Sequence, residues 1–148
     1  MAVCLSAGAM ALLIPANAFV LSWTHSVEQV VWRENWRVAD DTLVLEQAEV
    51  EGSGAGMEPG PSARLVDGAW RWRPALPPQR QLRLAHSEFA GDYRLCWRDK
   101  CEHLATLITR SGGAAVEIRP CAPRERLLRG SQSPQSAARP AAAKEDKR

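Results

Sequence analysis

The chain has 148 residues, a length that fits one domain and leaves no room for a second core beside its terminal segments. Its net charge of +2 conceals an asymmetry: residues 122–148 hold seven Lys/Arg against three acids, a net +4, which leaves −2 for residues 1–121. A near-neutral body argues against a nucleic-acid reader, whose affinity comes mainly from Lys and Arg neutralising phosphates, and only the tail has the charge to touch an acidic lipid or polymer.

Residues 2–14 are apolar and uncharged, Pro15 ends the run, and Ala16-Asn17-Ala18 follows. A short apolar stretch followed by small residues at the first and third positions of a cleavage site has the pattern of an export signal. Residues 1–18 are therefore read as a signal peptide or an N-terminal anchor, the latter giving membrane association; cleavage after Ala18 would free Phe19. The basic start usual for such a signal is missing between Met1 and Cys4. A spanning helix needs about 20 apolar residues, and Pro15 and Asn17 interrupt any extension to that length. Three residues before Cys4 are too few to make it a lipidated cysteine.

Residues 19–121 read as the folded body. Phe19, Leu21, Trp23 and His25 alternate with Val20, Ser22, Thr24 and Ser26, the two-residue period of a strand with one face covered. A second extended run holds Val30, Trp32 and Trp36-Arg37-Val38, interrupted near Arg33-Glu34-Asn35. A third joins Thr42-Leu43-Val44-Leu45 and Ala48-Glu49-Val50. Three glycines in Gly52-Ser53-Gly54-Ala55-Gly56 then end ordinary strand structure. Arg64-Leu65-Val66 and Ala69-Trp70-Arg71-Trp72 flank Asp67-Gly68, the strongest hairpin signal in the chain. Pro74-Ala75-Leu76-Pro77-Pro78 cannot sit in a central strand, because proline lacks the donor, and is expected to cross between sheets. Gln81-Leu82-Arg83-Leu84-Ala85 resumes the alternation, and Tyr93-Arg94-Leu95-Cys96-Trp97 pairs with residues 101–108 across Arg98-Asp99-Lys100; over residues 103–109 a helix competes.

Seven or eight short strands with regular turn signals predict an all-β fold, a small antiparallel sandwich or partly open barrel. Residues 122–148, with Ser-Gln-Ser-Pro-Gln-Ser and Ala-Ala-Arg-Pro-Ala-Ala-Ala, have too few large apolar side chains to offset chain entropy and are read as a disordered basic tail.

Three segments bear on chemistry. Cys96 and Cys101 bracket the tip of the expected hairpin, so their Cα atoms come within bonding distance if the strands pair in register, and an oxidising compartment would join them. The competing reading is a metal site using Cys96, Cys101, His103 and Cys121, but it lacks a second close ligand pair. Cys121 is left over on the disulfide reading.

The second segment collects Trp23, His25, Ser26, Glu28, Trp32, Glu34 and Trp36. Imidazole, hydroxyl and carboxylates so close in sequence resemble parts of a hydrolase site, yet along a strand His25 and Ser26 face opposite sides and nothing fixes the separation of Glu28 and Glu34 as an acid and base pair. Two readings stay open, a buried histidine among core tryptophans or a contact surface. On the second, Trp32 and Trp36 beside Glu34 and Arg33 would suit a cationic or zwitterionic group. The glycine run ending at Met57 lacks the Lys-Ser/Thr and the strand-to-helix setting of a phosphate cradle, so no cofactor is expected; Gly54 and Gly56 instead let the backbone approach another chain or a ligand, or turn a bulged corner.

Trp-Thr-His-Ser-Val-Glu at 23–28, Glu34 and Trp36, Gly-Ser-Gly-Ala-Gly-Met at 52–57, Leu-Pro-Pro at 76–78, and Cys96 with Cys101 together resemble the bacterial family called domain of unknown function 1850. The resemblance implies a small exported protein of the kind often encoded beside tripartite transporters of the TRAP type, TAXI class, with an extracytoplasmic receptor and a fused permease. The expectation that follows is a periplasmic accessory or binding protein contacting receptor, permease or a small solute through His25, Ser26, Glu28, Trp32, Glu34, Trp36, Gly54, Gly56 and Met57. Its rivals are a periplasmic enzyme acting through His25, Glu28 and Glu34, and an assembly factor for the permease.

Overall fold

A computed structural model describes residues 1–24, 29–51, 62–84, 93–108 and 115–122. They form two antiparallel sheets sharing one apolar core, as the turn spacing predicts. The four-stranded sheet has β1 (Ala2–Ala7), β2 (Met10–Ile14), β8 (Leu82–Leu84) and β11 (Val116–Cys121) in the order β2-β1-β11-β8. The seven-stranded sheet has β3 (Ala18–Thr24), β4 (Val31–Ala39), β5 (Thr42–Glu51), β6 (Arg64–Val66), β7 (Ala69–Trp72), β9 (Arg94–Trp97) and β10 (Lys100–His103) in the order β10-β9-β3-β4-β5-β7-β6. The described residues thus carry eleven strands where the sequence suggests seven or eight.

Most of the difference lies at the chain ends. The apolar run read as a signal or anchor is built here into the four-stranded sheet. Val3 opposes Ile14 and Ala7 opposes Met10, with Gly8 at a φ of 58° in the turn between them. On its other side β1 pairs with β11, Leu5 opposite Ile118, and the Cys4–Cys121 disulfide fastens the two strands with Cα atoms 5.8 Å apart. Cys121, left over in the sequence, therefore has a partner. A short continuous apolar run fits a buried strand as well as a signal core, since periodicity alone does not separate them.

One strand reading is corrected. The expected interruption at Arg33-Glu34-Asn35 is absent: β4 runs unbroken, with Trp32, Glu34, Trp36 and Val38 turned to the core and Arg33, Asn35 and Arg37 alternating against them. The third run is one strand, as the sequence reading joins it, and it carries a bulge. Asn35 opposes Gln47 while Trp36 opposes Leu45, so Glu46 is an extra residue, and burial shifts phase from Leu43 and Leu45 to Ala48 and Val50.

Elsewhere the structure follows the sequence more closely. Asp67 and Gly68, with φ of 50° and 81°, join β6 to β7, the pair of positive angles a two-residue hairpin requires. The proline-rich stretch leads from β7 in one sheet to β8 in the other and gains one bridge, Gln79 to Leu43. After β10 the chain turns into a short helix, α1 (Leu104–Leu107), so the helical competitor holds part of its span. Its first amide donates to the Tyr93 carbonyl at 2.9 Å. The basic tail beyond Ala122 lies outside the described residues.

A candidate binding site around Glu34

The inner face of the seven-stranded sheet is organised in rows of opposed residues. One row contains Leu95, Leu21, Glu34, Ala48 and Trp72. The next, toward the end of the sheet where β3 stops at Thr24 and β4 starts at Val31, contains Trp23, Trp32, Val50 and Trp70, with the Tyr93 ring beside Trp23. The four-stranded sheet meets this face with aliphatic side chains, Val3, Leu5, Leu82, Leu84, Val116 and Ile118.

In this apolar setting Glu34 is fully buried, 0% exposed. A carboxyl removed from water is costly unless polar partners surround it. Trp36, two residues along the same strand, supplies one by donating its indole N–H to Glu34 Oε1 at 3.1 Å. The β5 bulge lies directly opposite this pair, and bulges are common beside functional sites, where they re-aim a side chain.

The neighbouring rings form a connected aromatic group. Trp23 and Trp32, directly opposed across β3 and β4, lie nearly parallel with centroids 6.3 Å apart; Trp72 meets Trp32 edge-on at 6.2 Å, and Tyr93 tilts against Trp23 at 5.6 Å. Two donors here have no partner: the Trp32 indole N–H and the Tyr93 hydroxyl are both buried and unbonded. Burial first and the nearby Glu34 second hold the Tyr93 phenol well above its ordinary range, so it remains an O–H donor. Buried polar groups are bonded in the great majority of native structures, so these two unbonded donors are exceptions that set this part of the core apart.

Of the nine residues expected to form a contact surface, Trp32, Glu34 and Trp36 come together here. They are sealed in the core and do not form an exposed face, because the strand alternation that aligns them turns all three inward. His25, Ser26, Glu28, Gly54, Gly56 and Met57 lie outside the described residues. The described strand ends that flank the two stretches, Thr24 and Val31 on one side and Glu51 on the other, share one end of the sheet. The sequence reading missed Tyr93 and Trp72 as members of the group. Tyr93 is the only tyrosine of the chain, and its place two residues before Leu95 in β9 was the available signal.

The cysteines are settled structurally. Cys96 and Cys101 oppose each other in the β9–β10 hairpin and are bonded, with Cα atoms 4.0 Å apart. With Cys4 bonded to Cys121, no thiolate is left for the alternative metal set. Among the described residues no three His, Cys, Asp or Glu side chains converge as metal ligands. Two disulfides are the mark of an oxidising, extracytoplasmic environment, and no helix among the described residues is long and apolar enough to cross a membrane.

No curated protein and no solved structure matches the chain. The family model described as Domain of unknown function (DUF1850) matches residues 19–104, a span from β3 to the start of α1 that holds Glu34, its aromatic neighbours and the hairpin disulfide. More than half of the chain is covered, and the protein belongs to that family.

Proposed function

We propose that the protein is a periplasmic binding protein that serves as an accessory to a tripartite solute transporter of the TRAP type, TAXI class, contacting its receptor, its permease or the solute. The observation that carries this reading is the fully buried Glu34 carboxyl with the unbonded Trp32 and Tyr93 donors near it, because a sandwich built only to fold has no need of a carboxyl at the centre of its larger sheet. Two disulfides support a periplasmic location. The transporter itself enters through the family resemblance in the motifs from Trp23 to Cys101.

The test is capture. Tagged full-length protein recovered from mildly solubilised membranes of its native cell should enrich receptor or permease subunits over an unrelated exported protein carrying the same tag. Recovery without any transporter subunit would remove the accessory role.

A further inference from the structure

We infer that β2 is a docking edge for a second copy of this chain, the two β2 strands pairing antiparallel about a twofold axis at Leu12 and joining the four-stranded sheets of both copies. The inference goes beyond the accessory role and calls on no solute.

Among the described residues the two sheets end on β2, β8, β10 and β6, and all but β2 carry features that discourage pairing. β6 and β8 have three residues each, with Arg64 exposed in one and Arg83 in the other, and β10 displays Lys100, Glu102 and His103, exposed throughout. Short edges and charged side chains are the usual protection against strand addition. β2 has neither: its five residues, Met10-Ala11-Leu12-Leu13-Ile14, carry no charge and no proline. Among the described strands its one neighbour is β1. Met10 and Leu12 lie against the core yet are only partly buried, and on the other face Leu13 is partly buried and Ala11 exposed.

The ladder geometry selects the occupant. Ala7 and Met10 close a two-residue turn, so in the alternation of an antiparallel pair Met10, Leu12 and Ile14 exchange backbone bonds with β1. The N–H and C=O groups of Ala11 and Leu13 therefore point away from β1. A second β2 laid antiparallel about Leu12 sets Ala11 opposite Leu13 of the second copy, and Leu13 opposite its Ala11, so that each exchanges both backbone bonds with the other. The same register puts Met10 opposite Ile14 and Leu12 opposite its own counterpart, which keeps the core-side residues of both copies on one side of the joined sheet. An uncharged strand complements itself in this way, whereas a charged segment would find no counter-charge along β2. The contact is isologous and closes on itself, leaving no open edge at β2.

The experiment measures the mass of full-length, disulfide-intact protein by sedimentation equilibrium over a range of concentrations. The mass should rise to twice the 16.3 kDa of one chain. Ala11→Lys, at an exposed position, should weaken association by about tenfold or more with an unchanged circular dichroism spectrum, and Leu13→Glu should also weaken it. The double variant Ala11→Lys/Leu13→Glu should associate about tenfold more tightly than Ala11→Lys alone, because the twofold register sets each new cation opposite a new anion. Leu65→Lys, which changes the exposed apolar residue of the edge strand β6 in the other sheet, should leave the dimer intact. A chain that stays monomeric at the highest concentration would overturn the inference, as would a dimer that survives Ala11→Lys, one that Leu65→Lys dissociates, or a double variant no tighter than Ala11→Lys. The measurement uses the protein alone, so its result stands apart from the capture of transporter subunits.

Discussion

The Cys4–Cys121 disulfide makes the sharpest quantitative claim about the fold, because it ties residues at nearly opposite ends of the described chain. The two cysteines are 117 positions apart, against five for Cys96 and Cys101. By the loop-closure relation the long bridge restrains the unfolded chain by about 4.9 kcal/mol and the short one by about 2 kcal/mol. Natural domains are stable by only about 5–15 kcal/mol, so loss of the first threatens folding and loss of the second does not. With a urea slope of about 2 kcal/mol/M, the double variant Cys4→Ala/Cys121→Ala should lower the unfolding midpoint by about 2.5 M. Cys96→Ala/Cys101→Ala should lower it by about 1 M under the same non-reducing conditions. Thiol titration gives an independent reading: the intact protein should show no reactive thiol, whereas removal of residues 1–18 takes away β1 and β2 and should expose one, at Cys121. Equal midpoints for the two double variants, or a larger loss from the short bridge, would refute the reasoning and detach the N-terminal hairpin from the folded unit.

Other outcomes follow from the same structure. Tyr93 has a phenol pKa raised by folding, so its contribution to stability is complete below the unfolded value of about 10 and is lost as pH rises beyond it, because the unfolded chain ionises first. Urea midpoints measured at pH 8 and pH 11 should fall further for wild type than for Tyr93→Phe; parallel falls would show the phenol to be solvated. Gly68 adopts a φ of 81°, and a Cβ added there would meet no atom within 4 Å. Gly68→Ala should therefore cost only the backbone term, about 1 kcal/mol, seen as a thermal midpoint lower by a few degrees; an unchanged midpoint would mean the turn relaxes to another type. Leu21, fully buried beside Glu34 in the central strand β3, should cost about 2–5 kcal/mol when replaced by alanine, and a smaller loss in chemical denaturation would mean that the core collapses around the gap.

The fold class was legible because most strands obey one rule, alternation broken by recognisable turns. Asp67-Gly68 located a hairpin, and the prolines located the passage between sheets. Where the rule fails, the reasons are physical. Glu46 is an extra residue in β5, so the alternation changes phase within a single strand. Glu34 looks like a strand breaker among Arg33 and Asn35, because a carboxyl is expected in water; its burial becomes intelligible only when Trp36 is seen to donate to it. The N-terminal run carried no alternation to read, since Ala2, Val3, Cys4 and Leu5 are all buried on consecutive positions. Its place beside β11 depends on a pairing across the whole chain, which local pattern does not encode.

The candidate site was half legible for a related reason. Trp32, Glu34 and Trp36 are brought together by one strand, so sequence spacing identifies them. Trp72 and Tyr93 join through β7 and β9, whose neighbours are chosen by sheet order. That distinction bears on how the cluster is to be understood. Replacing a buried polar set by well-packed apolar residues is often neutral or stabilising, whereas leaving part of it unbonded carries a cost. A sequence selected for stability alone would place an aliphatic side chain between Leu21 and Ala48 and would give the Trp32 and Tyr93 donors partners or remove them. This chain instead holds a carboxyl, two bare donors and a set of indoles on a face otherwise met by Val, Leu and Ile. Each of these features departs from what stability alone would favour, and all of them gather on one stretch of the larger sheet.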